Sequence, residues 1–211
     1  MLSFSRNDVF PTPIWQIEME NAPVFNQNLL TVIETERAQD SKGVQASNVL
    51  GWHSQDNLHK NEKIQQLLGV ISQSILAIVN ELEWDLDQIK PVINHCWAMV
   101  MPKYAFSSLH HHPNAVLSGV YYVKVPEHSG DLYFHDPRAG SQILLPPLRK
   151  QTVWTLGKVR FKPKEGMLVI FPSWFWHGVE PNLSEECRIS ISFNIGVSKA
   201  NLSLVSQGND R

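Results

Sequence analysis

The sequence predicts an α+β fold in which N-terminal helices support a C-terminal jelly-roll-like barrel, and three observations predict it. Apolar residues recur at helical spacing only before Pro91. Beyond Pro91, short apolar and β-branched runs separated by Pro, Gly, Asn and Ser follow one another with no helical pattern between them, as in an antiparallel sandwich or barrel. Finally, 211 residues with 43% hydrophobic and 18% charged side chains suit one globular domain and are too few for a second catalytic unit.

Taken in order, Val9 to Met19 is β-favouring but carries Pro11 and Pro13, which fits an edge strand or extended arm. From Ala22 to Ala38, residues Val24, Phe25, Leu29, Leu30 and Ile33 recur at helical spacing and predict a first amphipathic helix. Asp40 to Asn57 is rich in Ser, Gly, Asn and Gln; within it SNVLGWHS reads as a loop or short strand carrying Trp52 and His53. Asn61 to Leu82 sets Ile64, Leu67, Leu68, Ile71, Ile75, Ile78, Val79 and Leu82 on one stripe, with Asn61 as N-cap. The strand candidates are INHCWAMVM, AVLSGVYYVKV, DLYF, QTVWTL, MLVIF and RISISFNIGV. Residues 1–90 are therefore read as arm and supporting helices of the same domain, 91–200 as the barrel and 201–211 as a tail.

Composition excludes some functions. Eighteen Lys and Arg against 20 Asp and Glu, without a basic run, leave no footprint for nucleic acid. Two cysteines, Cys96 and Cys187, make neither a disulfide framework nor a CxxC pair, which points to a reducing compartment. No apolar run approaches about 18 residues and the N-terminus lacks a leader-like apolar core, so the expectation is a soluble cytoplasmic protein without a membrane partner. Whether it forms homo-oligomers stays open.

The distinctive count is nine histidines, three of them consecutive at 110–112. In an extended strand, residues two apart share a face about 7 Å apart, so His110 and His112 can converge on one ion while His111 points away. A third ligand must come from elsewhere, and His177 in FPSWFWHGVEPN is the best candidate because it lies between two strong strands. Three ligands on one side of an ion leave positions open, the layout of non-haem Fe(II) enzymes. A lone HHH run is ordinarily a polar loop, and a lone His beside Trp174 and Trp176 is ordinarily packed or hydrogen-bonded. Their joint placement at strand ends favours a site, and Arg188 strengthens it. Alternation in RISISFN puts Arg188, Ser190, Ser192 and Asn194 on one face, where a buried guanidinium needs an anion: an acid side chain or a ligand carboxylate held bidentately. Trp52, Trp97 and Trp154 are read as packing, and His53, His59, His95 and His128 as surface or hydrogen-bonded. His135, Asp136 and Arg138 either read a polar group of a substrate or form a salt-bridged turn.

Through VFPTPIW, SNVLGWHS, HHHPNAVLSGVYYV, SGDLYFHDPR, GMLVIFPSWFWHGVEPN and RISISFN, the chain resembles the 2-oxoglutarate/Fe(II)-dependent dioxygenases, in the branch related to prolyl hydroxylases. The resemblance implies a double-stranded β-helix, Fe(II), O2 and 2-oxoglutarate as co-substrate. It further implies hydroxylation of an unactivated C–H of a small molecule or peptidyl residue, with release of succinate and CO2. Against the family pattern of His-x-Asp/Glu, distal His and a later Arg, His110 looks like the first ligand, His112 holds the carboxylate position, His177 looks like the distal ligand and Arg188 the clamp on the 2-oxoglutarate C5 carboxylate. Tyr122 and Ser190 look like hydroxyls assisting that carboxylate, and Asn194 is grouped with them. Asn114, Asp136, Arg138, Trp174 and Trp176 are the candidate substrate pocket. Histidine at the carboxylate position makes the site neutral; alternatively Asn114 or Asp136 supplies an oxygen ligand, with His112 behind it. The rival readings are a three-histidine cupin-type metalloenzyme without 2-oxoglutarate, disfavoured because no Glu follows HHHPNAV at cupin spacing, and a non-catalytic barrel that binds.

Overall fold

The computed structural model describes residues 2–138, 140 and 146–200, so the tail read at 201–211 lies outside the described residues. Strand β1 (Trp15–Glu18) follows the proline-containing arm and pairs with a single neighbour, as expected of an edge. Helix α1 (Ala22–Gln39) has Pro23 in its first turn and buries Phe25, Asn26, Leu29, Val32 and Ile33; Val24, on the predicted stripe, points outward. SNVLGWHS forms two short strands, β2 (Asn48–Val49) and β3 (Trp52–His53), which belong to different sheets. Helix α2 (Gln65–Glu81) starts later than the stripe suggested. Asn61 accepts the Lys63 N–H at 3.0 Å and so caps a 3-10 turn, Glu62–Ile64, that precedes the helix. Its buried face is Leu67, Leu68, Ile71, Ile75, Ile78 and Val79, each worth up to about 1.5–3 kcal/mol when fully buried.

Eight more strands follow among the described residues: β4 (Ile89–Met101), β5 (Phe106–His110), β6 (Leu117–Lys124), β7 (Leu132–His135), β8 (Lys158–Phe161), β9 (Met167–Pro172), β10 (His177–Val179) and β11 (Arg188–Lys199). QTVWTL is not a strand. Thr152 and Thr155 close a turn there (Thr155 N–H to Thr152 O, 2.9 Å), leaving Val153 and Trp154 exposed, and the strand falls at β8 instead. Pairing between these strands is antiparallel, with one isolated parallel bridge from Asn57 to Cys96, and makes a jelly roll, the double-stranded β-helix, from a six-stranded sheet, β1-β9-β6-β11-β4-β3, and a five-stranded sheet, β2-β5-β10-β7-β8.

The alternation of β11 separates two interiors. Ile189, Ile191 and Phe193 join Phe25, Leu29, Ile64, Leu67 and Ile71 in a core between the large sheet and the helices. Here Asn26 ties α1 to β6, donating to Val123 O at 2.8 Å and accepting from the Tyr121 hydroxyl at 2.6 Å. Gly119 leaves room for the Phe193 ring, which would lie 2.3 Å from a Cβ. The opposite face of the sheet looks toward the small sheet, across a second core of Leu132, Phe134, Met167, Val169, Phe171 and Phe175. Arg188 and Ser190 emerge on this side. No helix is long and apolar enough to cross a membrane among the described residues.

Candidate metal centre

Strands β5 and β10 pair with His110 directly opposite His177, so the two imidazoles sit side by side with ring centroids 4.3 Å apart. The strand ends at His110, yet the chain continues extended and the His112 N–H is held by Ser173 O at 2.9 Å, which brings the third ring to 5.0 Å from His110 and 5.1 Å from His177. One nitrogen from each ring lies within 4.8 Å of the others, and no carboxylate joins the group among the described residues. His111 faces outward and packs on Trp176 at 4.6 Å.

Two of the rings have a fixed tautomer. His110 Nδ1–H donates to Ser108 O at 2.7 Å and His177 Nδ1–H to Phe175 O at 2.8 Å, so both Nε2 atoms carry a lone pair; that of His110 accepts a long contact from the Ser47 hydroxyl at 3.4 Å, which an ion would replace. Phe171 and Trp97 pack against the rings of His177 and His112. Burial, reinforced by the neighbouring imidazoles, pulls the His112 pKa down to about 3 and that of His177 well below its ordinary value. Burial also lowers His110. All three are neutral near pH 7, the state in which histidine binds a metal.

The triad closes one end of a narrow cavity of about 50 Å³ that reaches Tyr122, Arg188, Ser190 and Ser192. Arg188 is 2% exposed. Its Nη1 donates to the carbonyls of Ser129 and Gly130, while Nε and Nη2 donate to no described residue, and no described carboxylate pairs with it. Burial lowers its pKa from the ordinary guanidinium value. Tyr122 lies opposite Ser190 across β6 and β11, and its buried hydroxyl has no hydrogen-bond partner. Burial pushes that phenol up to about 12, so it remains a donor. A buried cation and an orphaned O–H facing one cavity are the complement of a carboxylate.

Across His110 and His112 lies an open groove of about 740 Å³, bounded by Val44, His53, Asp56, His95, Trp97 and Asn194. His53 is buried here and stacks on Trp97 with ring centroids 5.3 Å apart. A broader groove of about 860 Å³, around Pro126, His128, Lys158 and Glu180, does not include His110, His112 or His177.

Not every residue singled out in the sequence reaches these spaces. Asn194 lines the outer groove rather than the Arg188 cavity, because it stands at the far end of the β11 face, where its Oδ1 accepts from Ser118. Asn114 is an exposed left-handed turn residue (φ 64°). Arg138 is held on Asp136 at 2.7 Å, the salt-bridged-turn alternative. Trp174 and Trp176 are 53% and 42% exposed. Asn114, Asp136, Arg138, Trp174 and Trp176 line neither the cavity nor the outer groove. Conversely, the sequence reading missed Trp97, Met99 and Met101 as cavity walls. A period-2 reading of CWAMVM would have found them, for they stand opposite Ser192, Ser190 and Arg188 in the β4–β11 ladder.

Residues 95–194 match the family model described as "Putative 2OG-Fe(II) oxygenase". A search of curated proteins finds no match. Among solved structures, a prolyl-4-hydroxylase from Pseudomonas putida is similar at 18% identity and TM-score 0.63, over 88% of this chain and 92% of its own. HygX from Streptomyces hygroscopicus, with nickel, 2-oxoglutarate and hygromycin B bound, gives 12%, 0.59, 88% and 83%. The viral collagen prolyl hydroxylase from Paramecium Bursaria Chlorella virus-1, a 2-oxoglutarate complex, gives 13%, 0.56, 86% and 94%. At such identities these structures establish a shared fold.

Proposed function

We propose that this chain is a 2-oxoglutarate/Fe(II)-dependent oxygenase, the family whose model matches residues 95–194, in which His110, His112 and His177 hold the iron and Arg188 and Tyr122 hold the 2-oxoglutarate. Iron and co-substrate, when bound, supply the oxidising chemistry together with O2, and release succinate and CO2. The chain's own part is to bind, orient and exclude water. The three imidazoles would offer an ion neutral ligands and leave it room for the co-substrate and O2. Arg188 offers two unused donors, from Nε and Nη2, to the distal carboxylate, and the Tyr122 hydroxyl donates a third hydrogen bond. Ser190, beside them, extends the polar wall. Leu132, Phe171 and Met99 give the cavity apolar walls, so these charge-assisted bonds act at low dielectric.

The observation that carries this reading is the pairing of an unmatched Arg188 with an orphaned Tyr122 hydroxyl in the cavity closed by the three histidines. A three-histidine enzyme without 2-oxoglutarate, or a barrel that only binds, has no need of either group. The outer groove takes the primary substrate, a small molecule or a peptidyl residue, whose C–H would lie beside His110 and His112. Two free cysteines, one of them buried, fit a cytoplasmic setting. Tag-free protein incubated with Fe(II), ascorbate and 2-oxoglutarate should form succinate even without a primary substrate. Absence of both succinate formation and metal-dependent 2-oxoglutarate binding would refute the assignment.

A further inference from the structure

Resting on the reading of the three histidines as metal ligands, we propose that a buried hydrogen-bond chain, Ser173–Ser118–Asn194, is the device that positions His112. The other two ligands are aimed by hydrogen bonds from their own rings, whereas the His112 ring makes none with a described residue. What holds His112 is its backbone. Ser173 grips the loop at both ends, accepting the His112 N–H at 2.9 Å and donating its own N–H to Val116 O at 3.1 Å. Asn114 supplies the left-handed residue (φ 64°) that lets the chain turn back between those two points. The Ser173 side chain is then locked from behind: its hydroxyl lies 2.9 Å from that of Ser118, which donates to Asn194 Oδ1 at 2.8 Å. Ser118 and Asn194 are register partners on β6 and β11, so the central ladder of the large sheet sets the depth of the His112 loop.

Three polar side chains this deeply buried are a poor choice for packing alone. Ser173, Ser118 and Asn194 are almost wholly enclosed, and apolar residues of the same volume would avoid their desolvation cost. Their common property is that the chain ends on the residue gripping His112. Position matters more for this ligand than for a carboxylate, because imidazole presents a single lone pair in the ring plane, whereas a carboxylate offers two oxygens. Asn194 accordingly acts through His112 and is a positioning residue for the metal site, not a contact of the 2-oxoglutarate carboxylate.

The test is a Co(II) titration of tag-free apoprotein, following ligand-field absorption, for wild type, Ser173→Ala, Ser118→Ala, Asn194→Ala and the Ser118→Ala/Asn194→Ala double variant. Each single variant should bind Co(II) about 10–100-fold more weakly, with an altered band shape. The double variant should be no worse than the weaker single one, because both interrupt the same chain. Asn26→Ala, which removes an equally buried pair of hydrogen bonds on the helix side of the sheet, should lower the apoprotein Tm and leave affinity and spectrum unchanged. If Ser173→Ala does not fold, Ser118→Ala and Asn194→Ala carry the test, since both keep residue 173 itself unchanged and interrupt the chain behind it. Wild-type affinity and spectrum in these variants, or an equal loss in Asn26→Ala, would overturn the proposal. Failure of the wild type itself to bind Co(II) would instead defeat the metal-site reading.

Discussion

At the scale of single residues, two side chains carry opposite predictions. Tyr122 buries a hydroxyl with no partner, which costs the unliganded protein about 1–3 kcal/mol. Tyr122→Phe should therefore raise the apoprotein Tm while raising the KM for 2-oxoglutarate about tenfold, a combination that a purely structural hydroxyl would not produce. Arg188→Lys keeps the charge but loses the fork that can grip a carboxylate with two bonds. Its KM for 2-oxoglutarate should rise tenfold or more with a smaller change in kcat, in steady-state succinate assays; an unchanged KM would remove Arg188 from the clamp.

At the scale of elements, the segments legible in the sequence were those whose pattern comes from burial alone. The α2 stripe, the continuous apolar run MLVIF and the alternation of RISISFN each reported the side facing a core, and each formed as expected. Strand β10, by contrast, is only His177–Val179, too short for any periodicity, and Val153 and Trp154 looked strand-like although a threonine-closed turn exposes them. The candidate metal centre followed the same division. His110 and Arg188 could be placed by strand alternation, but the exposed Trp174 and Trp176 could not be told from pocket walls, because nearness in sequence to His177 says nothing about which way a turn projects.

The loop between β6 and β7 was equally silent in the sequence, yet its Ser129 and Gly130 carbonyls hold Arg188. Gly130 has φ +86°, and a Cβ there would lie 2.2 Å from Glu180 O. Gly130→Ala must displace the carbonyls that aim the guanidinium. The expected result is a loss of about 1–3 kcal/mol in denaturant unfolding from the strained backbone and a higher KM for 2-oxoglutarate at unchanged metal affinity.

For the whole molecule, pH and ligand linkage follow from the same buried groups. His110, His112 and His177 have pKa values below their ordinary value, so the unfolded chain binds protons more readily than the fold does. Their stabilisation is fully present above about pH 6.5 and is lost as pH falls toward 3. Cys96 and Tyr122 are displaced the other way, both to about 12, so their contribution is full below about pH 9 and disappears as pH rises toward 12. The apoprotein Tm should therefore be flat between these limits and fall on both sides. Filling the acid side first is the diagnostic outcome: saturating Zn(II) should move the acid limb to lower pH and leave the alkaline limb in place.

On the proposed assignment, charge couples the metal to the co-substrate. Three neutral histidines leave a divalent ion with its whole charge, and Arg188 adds one more positive group to the same cavity. Either the ion or the guanidinium alone is poorly compensated; a dianionic 2-oxoglutarate neutralises most of the total. Binding should in consequence be mutually reinforcing, and reciprocity requires the same factor in both directions. Mn(II) titrated with and without saturating 2-oxoglutarate, followed by calorimetry, should gain at least tenfold in affinity, and 2-oxoglutarate should gain equally from Mn(II). In Arg188→Met the positive excess is smaller before the co-substrate arrives, so Mn(II) alone should bind no more weakly than in wild type while most of the coupling disappears. Independent, additive binding of the two in the wild-type protein would mean that the missing carboxylate is compensated elsewhere in the barrel.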